Sequence, residues 1–177
     1  MDEKKKICVE RFRGRLIFPI NNISGQPIAL GGRIIEKSDY LAKYINSPET
    51  NFFKKGSNLY NLDFARKLSN KLDHIYLVEG YMDVVGLSKN GIENVVANLG
   101  TSLTDKQILT LNQFFDDIII CFDGDESGYK AALRAAENSI KELKPEKQIS
   151  FLFLPDKEDP DSYVNKHGKN FFVDFTK

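Results

Sequence analysis

From Ile75 onward the chain alternates short, nearly unbroken apolar runs with amphipathic stretches, and this rhythm restricts it to a parallel sheet covered by helices. The runs read as strands at 75–79, 94–98, 117–122 and 148–154. Helices are expected near 81–89, 104–115, 127–142 and 160–167, giving a βαβ series whose right-handed crossovers bury the strands on both faces. Thr104 before Asp105-Lys106-Gln107 spells a capping box, and Ser127 is placed to cap the Ala-rich helix that follows it. Residues 170–177 read as a short helix cut off from what it packs against.

The preceding part has a different texture. Arg15 to Ile20 and Ile28 to Ile35 are β-branched segments separated by a turn-rich stretch, as in a hairpin with a longer loop. Gly31-Gly32 inside the second segment signals a bulge or a close backbone approach. A helix from about Leu62 to Lys71 closes this part. The expected organisation is a basic N-terminal subdomain over 1–70, an α/β domain over 71–167, and the start of a further segment over 168–177.

At 177 residues, with 41% hydrophobic and 28% charged residues, the chain has enough apolar material for a sizeable core. No apolar run approaches the roughly 20 residues that span a bilayer, and the lysine-rich start is not followed by a signal-peptide apolar region, so a cytoplasmic protein is expected. Cys8, Cys121, His74 and His167 lack metal-ligand spacing, which argues against a disulfide or a structural zinc. The zero net charge conceals an asymmetry. Residues 1–70 carry 13 Lys+Arg against 7 Asp+Glu, while 71–177 carry 12 against 18. A basic half beside an acidic half suits an enzyme that grips phosphates with one and holds cations with the other; the alternative reading is that both excesses are solvated surface.

Acidic groups stand where buried strands end. Glu79-Gly80 follows one run, Asp123-Gly124-Asp125 another, and Glu158-Asp159-Pro160-Asp161 a third. In open parallel sheets chemistry gathers outside the carboxyl ends of the strands, where such carboxylates can converge on one ion. Two of them about 4 Å apart repel by roughly 4 kcal/mol at an effective dielectric near 20, so a proton or a cation must answer them. Hard oxygen ligands point to Mg²⁺, and the matching reaction type is phosphoryl or nucleotidyl transfer. Other readings stand beside this one. Asp123 to Gly128 resembles the start of a calcium loop, although the twelfth position is Arg134; an Asp-x-Asp after a strand also opens some aspartyl phosphohydrolase sites. Acids at strand-to-helix junctions also simply cap helices. Gly80, Gly100 and Gly124 either aim backbone N–H groups at an anion or serve only as turn glycines.

Glu79-Gly80 and Asp123-x-Asp125 resemble the Toprim domain shared by topoisomerases, primases and some nucleases. More narrowly, six stretches in order resemble a bacterial DnaG-type primase. They are Arg11-Phe12-Arg13-Gly14-Arg15 with Phe18-Pro19-Ile20, Gly31-Gly32-Arg33, Tyr44 to Thr50, Glu79 to Asp83, Asn98 to Ser102, and Glu158 to Asp161. The likeness runs from about Arg11 to Asp161. It implies a Toprim-like parallel sheet with flanking helices, preceded by a partial, strand-rich subdomain of the polymerase core. It also implies template-directed synthesis of short RNA primers on single-stranded DNA from ribonucleoside triphosphates.

Carried over by residue, the resemblance makes Glu79 a metal ligand or general acid/base, with Asp123, Asp125 and Asp159 as metal-site acids for Mg²⁺, or Mn²⁺ in its place. Asp83 and Asp161 match the outer acids. Arg33, Lys43 and Lys55, with Asn46 beside them, would face nucleotide or template, and Arg11, Arg13 and Arg15 would extend the template-facing surface. After Asp123-Gly124-Asp125 this chain departs from the family pattern with Glu126-Ser127-Gly128. Such primases also carry a zinc-binding domain, a longer polymerase core and a helicase-binding domain, so this chain reads as a fragment of the catalytic centre. Contacts with replicative helicase and single-strand-binding protein would belong to those other regions. The alternatives are a truncated core that binds metal, nucleotide or DNA without polymerising, and a Toprim nuclease.

Overall fold

Phe18 and Ile20 point inward while Ile17 and Pro19 point out, and this period of two draws Arg15–Asn21 (β1) against Pro27–Ile34 (β2) in an antiparallel hairpin. The computed structural model describes residues 10–100, 102–140, 144–155 and 157–176; Cys8, Thr101, Lys177 and the last two residues of the helix expected to reach 142 lie outside them. Tyr44–Asn46 (β3) pairs antiparallel with the other edge of β2, completing a three-stranded sheet. The register slips between Ile20 and Asn21, not at the glycine pair. Gly31 and Gly32 instead mark close approach: a Cβ on Gly31 would stand 2.7 Å from the Tyr81 ring, and one on Gly32 2.7 Å from the Phe12 ring.

The helix expected over 62–71 is shorter than its pattern. Leu62–Ala65 (α1) makes one turn, a 3₁₀ turn follows over Arg66–Leu68, and further turns carry the chain to the next strand. Tyr60 exchanges two backbone hydrogen bonds with Ala97, so this connection covers an otherwise open sheet edge.

His74–Val78 (β4), Val95–Ala97 (β5), Asp117–Phe122 (β6) and Gln148–Phe153 (β7) form a parallel sheet in the order β5-β4-β6-β7. The intervening helices are Tyr81–Lys89 (α2), Asp105–Leu111 (α3) and Glu126–Ile140 (α4), with Pro160–His167 (α5) and Lys169–Phe175 (α6) after β7. Alternate side chains along each strand enter opposite cores. Ile75, Leu77, Ile118 and Ile120 meet Ile108, Leu111, Ala132 and Ala135 of α3 and α4. Tyr76, Val78 and Cys121 meet Val84, Leu87, Val164 and Phe172 of α2, α5 and α6. Each such aliphatic side chain removed from water contributes about 1.5–3 kcal/mol, which is why the strand runs contain so few polar residues. The final helix is not left without a partner: Phe172 is fully buried and meets the Tyr76 ring edge-on at 5.4 Å. Among the described residues, no helix is long and apolar enough to cross a membrane.

Candidate active site

Strand order determines which acids meet. Because β4 and β6 are neighbours, Glu79 and Asp123 leave the sheet side by side, and the backbone N–H of Asp123 donates to the Glu79 carboxylate. Asp125 follows two residues on and accepts the Gly128 N–H at 2.7 Å, so it caps α4, and Ser127, expected in that role, lies inside the helix. Asp159 caps α5, its Oδ1 accepting the Ser162 N–H at 2.7 Å. Asp83 closes the same kind of box on α2 by accepting the Gly80 N–H at 3.0 Å. Three helices therefore begin on one edge of the sheet, and a carboxylate from the nominated set accepts a backbone N–H at the start of each.

Asp83 also receives the backbone N–H of Asp161, so one buried carboxylate ties the loop after Glu79 to the start of α5. Asp161 itself accepts the Asn165 amide at 2.7 Å and packs over Gly86 of α2, where any side chain would collide with its carboxylate. Gly124 serves a similar purpose between the other two loops: a Cβ there would run into the carbonyl oxygens of Leu154 and Pro155. Glu158 is held by Lys166 at 2.8 Å and by the Ser162 hydroxyl.

Crowding leaves its mark on protonation. Burial pushes Asp123 up to about 7, with Glu79, Asp159 and Asp125 adding repulsion and Lys43 opposing it. Asp83 is likewise pushed up to about 7 by burial and by the charges of Asp123 and Asp159. Glu79 is raised by desolvation and by Asp125, against the Asp123 N–H that lowers it. Asp123 Oδ1 is buried without a hydrogen-bond partner among the described residues, a costly state for a carboxylate oxygen. Among those residues no three His, Cys, Asp or Glu side chains close into a ready-made metal cage. The donor set is nonetheless all oxygen and mutually repelling, with one buried oxygen unspent, and it fits a hard divalent cation.

Across a cavity of about 260 Å³, Glu79 faces Tyr44, Asn46 and Lys55 of the N-terminal part. Lys55 is placed there by α3: Gln107 donates to the carbonyls of Lys55 and Asn58 at 3.1 and 3.0 Å, and Thr104 to that of Gly56 at 2.7 Å. Lys43 is exposed, near enough to Asp123 to ease its ionisation, and its ammonium lies 5.6 Å from the Tyr44 ring centroid. Arg33 is half-buried and its Nε has no partner among the described residues. Two of the three remaining basic candidates have structural bonds. Arg11 donates through Nε and Nη2 to the Asn46 carbonyl at 3.1 and 2.9 Å, and Arg15 reaches the carbonyls of Gly32 and Lys43 at 3.4 and 3.3 Å. Arg13 is exposed beside a separate surface cleft that holds none of the acids.

Residues 1–66 match the family described as DNA primase catalytic core, N-terminal domain, and residues 73–153 match the Toprim domain. The DNA primase of Neisseria meningitidis serogroup A is 48% identical over 165 residues, which cover 93% of this chain and 28% of that protein. A DNA primase domain from Pseudomonas aeruginosa superposes with a TM-score of 0.92 at 45% identity, covering 98% of this chain and 54% of that one. The chain belongs to the bacterial DnaG-type primase family. A DnaG primase catalytic domain bound to single-stranded DNA is also similar, with a TM-score of 0.88, 42% identity and coverage of 94% of this chain and 53% of that one. The chain thus spans about a quarter of the length of this curated relative and about half of the solved chains. Toprim domains typically bind a divalent metal.

Within this DnaG-type frame, two side chains stand out that the motifs contained but did not single out. Tyr81 stacks on Phe18 with ring centroids 5.0 Å apart and meets Tyr60 edge-on at 4.8 Å, joining the two sheets next to Glu79. A large aromatic two residues after the first acid, opposite a glycine pair, was the available signal. Asn98 follows β5, and its buried Oδ1 has no partner among the described residues. Asn46, expected beside the nucleotide, has its amide spent internally: it accepts from the Tyr81 hydroxyl at 2.6 Å and donates to the Leu99 carbonyl at 3.0 Å.

Proposed function

We propose that this chain is the catalytic centre of a DNA primase, a DNA-directed RNA polymerase that makes short RNA primers on single-stranded DNA by nucleotidyl transfer. The observation that carries the reading is the edge where Glu79 and Asp123 stand together, flanked by Asp125 and Asp159 and faced by Lys43 and Lys55. Glu79, Asp123, Asp125 and Asp159 are the residues that would hold the ion, and Mg²⁺, or Mn²⁺ in its place, would acidify the attacking hydroxyl and offset charge on the departing group. Asp83 and Asp161 position these ligands through the helix starts.

The chain's own groups do the rest. Lys43, Lys55 and Arg33 hold the triphosphate or template phosphates, which makes binding steeply salt-dependent. The 3′-hydroxyl oxygen of one nucleotide bonds to the α-phosphorus of the next, and the bond to pyrophosphate breaks. Glu79, already raised in proton affinity, is placed to take the hydroxyl proton. Arg13 belongs to the template-facing surface, whereas Arg11 and Arg15 act by holding the segment from Lys43 to Asn46 through its carbonyls. On this reading the protein works in the cytoplasm at a replication fork.

The decisive experiment is Mn²⁺-dependent binding of a labelled ribonucleoside triphosphate to the wild-type chain and to Asp125→Asn. Binding that needs metal and is lost in the variant supports the site. Metal-dependent binding retained at full strength by Asp125→Asn would overturn the assignment, and strand cleavage without any ribonucleotide requirement would favour a Toprim nuclease.

A further inference from the structure

Two cavities meet at the acidic edge. The smaller lies on the Lys55 side; the larger, about 450 Å³, lies under α4, and Glu79, Asn98 and Gly100 line both. Its floor is apolar, built on Phe122, Leu103 and Ala135, and its rim carries Ser102, Ser127 and Arg134. This rim has bonding capacity to spare. Among the described residues Arg134 makes no ion pair, neither hydroxyl has a hydrogen bond, and the Asn98 oxygen is buried without a donor; Lys130, also on the wall, is held by Glu126.

We infer that this larger cavity is the subsite for the nucleotide that supplies the attacking 3′-hydroxyl, with the base on the apolar floor and a single phosphate at Arg134. The inference rests on the function proposed above. A nucleotidyl transfer brings two nucleotides together at one proton-accepting acid, and Glu79 is the wall the two cavities share. The lysine-lined side suits the more highly charged triphosphate. One unpaired arginine suits one phosphodiester or 5′-phosphate, to which it presents a forked pair of donors. The volume falls within the roughly 300–1,000 Å³ typical of small-ligand sites. Asn98 then gains the donor it lacks from a sugar hydroxyl or a base edge.

The test is amide and arginine-Nε correlation NMR on the whole chain in Mg²⁺, titrated separately with a 5′-phosphorylated ribodinucleotide and with a ribonucleoside triphosphate. The dinucleotide should move resonances of Gly100, Ser102, Ser127 and Arg134, and the triphosphate those of Asn46, Lys55 and Gly80. Arg134→Ala, an exposed position, should weaken the dinucleotide about tenfold and leave the triphosphate unchanged, as for loss of one charge-assisted contact. Dinucleotide shifts confined to the Lys55 side, or unaltered dinucleotide affinity in Arg134→Ala, would overturn the subsite while leaving the proposed function standing. If neither ligand moves any resonance of the folded chain, both fail together.

Discussion

Tyr81 donates its phenolic hydrogen to the Asn46 side-chain oxygen at 2.6 Å, and this bond crosses from the parallel sheet to the antiparallel one directly beside Glu79. Tyr81 is buried against Phe18 and Tyr60, so the bond is sheltered from water. The start of α2, just past the acid at the end of β4, is therefore joined to the end of β3 through one side chain.

Replacing Tyr81 by Phe keeps the stacking and leaves Asn46 Oδ1 without its donor. The expected cost is about 1–2 kcal/mol. Tyr81→Ala also empties a close-packed site and should cost about 3–5 kcal/mol. Urea midpoints of the two variants check this order; equal losses would mean that the hydroxyl dominates.

Asp125 caps α4 and is proposed as a metal ligand, and substitutions separate the two roles. Asn retains an oxygen to accept the Gly128 N–H, so Asp125→Asn should match or exceed wild-type stability in the absence of metal while losing metal-dependent nucleotide binding. Asp125→Ala removes the cap as well and should cost a further ~1 kcal/mol in thermal unfolding.

The raised acids set a direction with pH. Asp83 and Asp123 ionise near 7 in the folded chain and near 3.9 when unfolded, so the fold favours their neutral forms. Their stabilising contribution is complete below about pH 4 and is lost as pH rises through 7. Melting of the metal-free chain should fall between pH 5 and 8 on this account. Mg²⁺ should restore stability at pH 8 and do less at pH 5, where a proton on Asp123 competes with the ion.

Gly124→Ala tests how closely the second and third acid loops are joined. The new methyl would collide with backbone carbonyls of Leu154 and Pro155, which cannot swing aside as a side-chain end would. A loss of about 2–3 kcal/mol is expected, with weaker metal binding measured by calorimetry even where the variant remains folded.

The sheet was legible because its strands are apolar on both faces, and the sequence placed all four within about a residue or two of their observed limits. The pattern after Leu62 suits a ten-residue helix, but the chain passes into a 3₁₀ turn after Ala65 and through further turns to enter β4 at His74. The strand-end position of the acids was equally plain. That acids here cap helices was visible only as a competing explanation, and capping holds for two of the residues nominated as ligands, Asp125 and Asp159. The fates of Arg11 and Arg15 were hidden, since a sequence does not show whether a guanidinium meets a phosphate or a carbonyl 30 residues away. Asn46 was hidden for the same reason.

Capping also limits denticity. Asp125 and Asp159 each accept a helix N–H on Oδ1, which leaves each one oxygen free of that bond to offer an ion. Bidentate grips of the kind Ca²⁺ collects while gathering six to eight oxygens are thereby discouraged at both. A small octahedral ion that keeps several of its waters loses nothing by such single-handed ligands. Discrimination between the two cations is then expected to come from how the helices begin rather than from how many acids surround the ion.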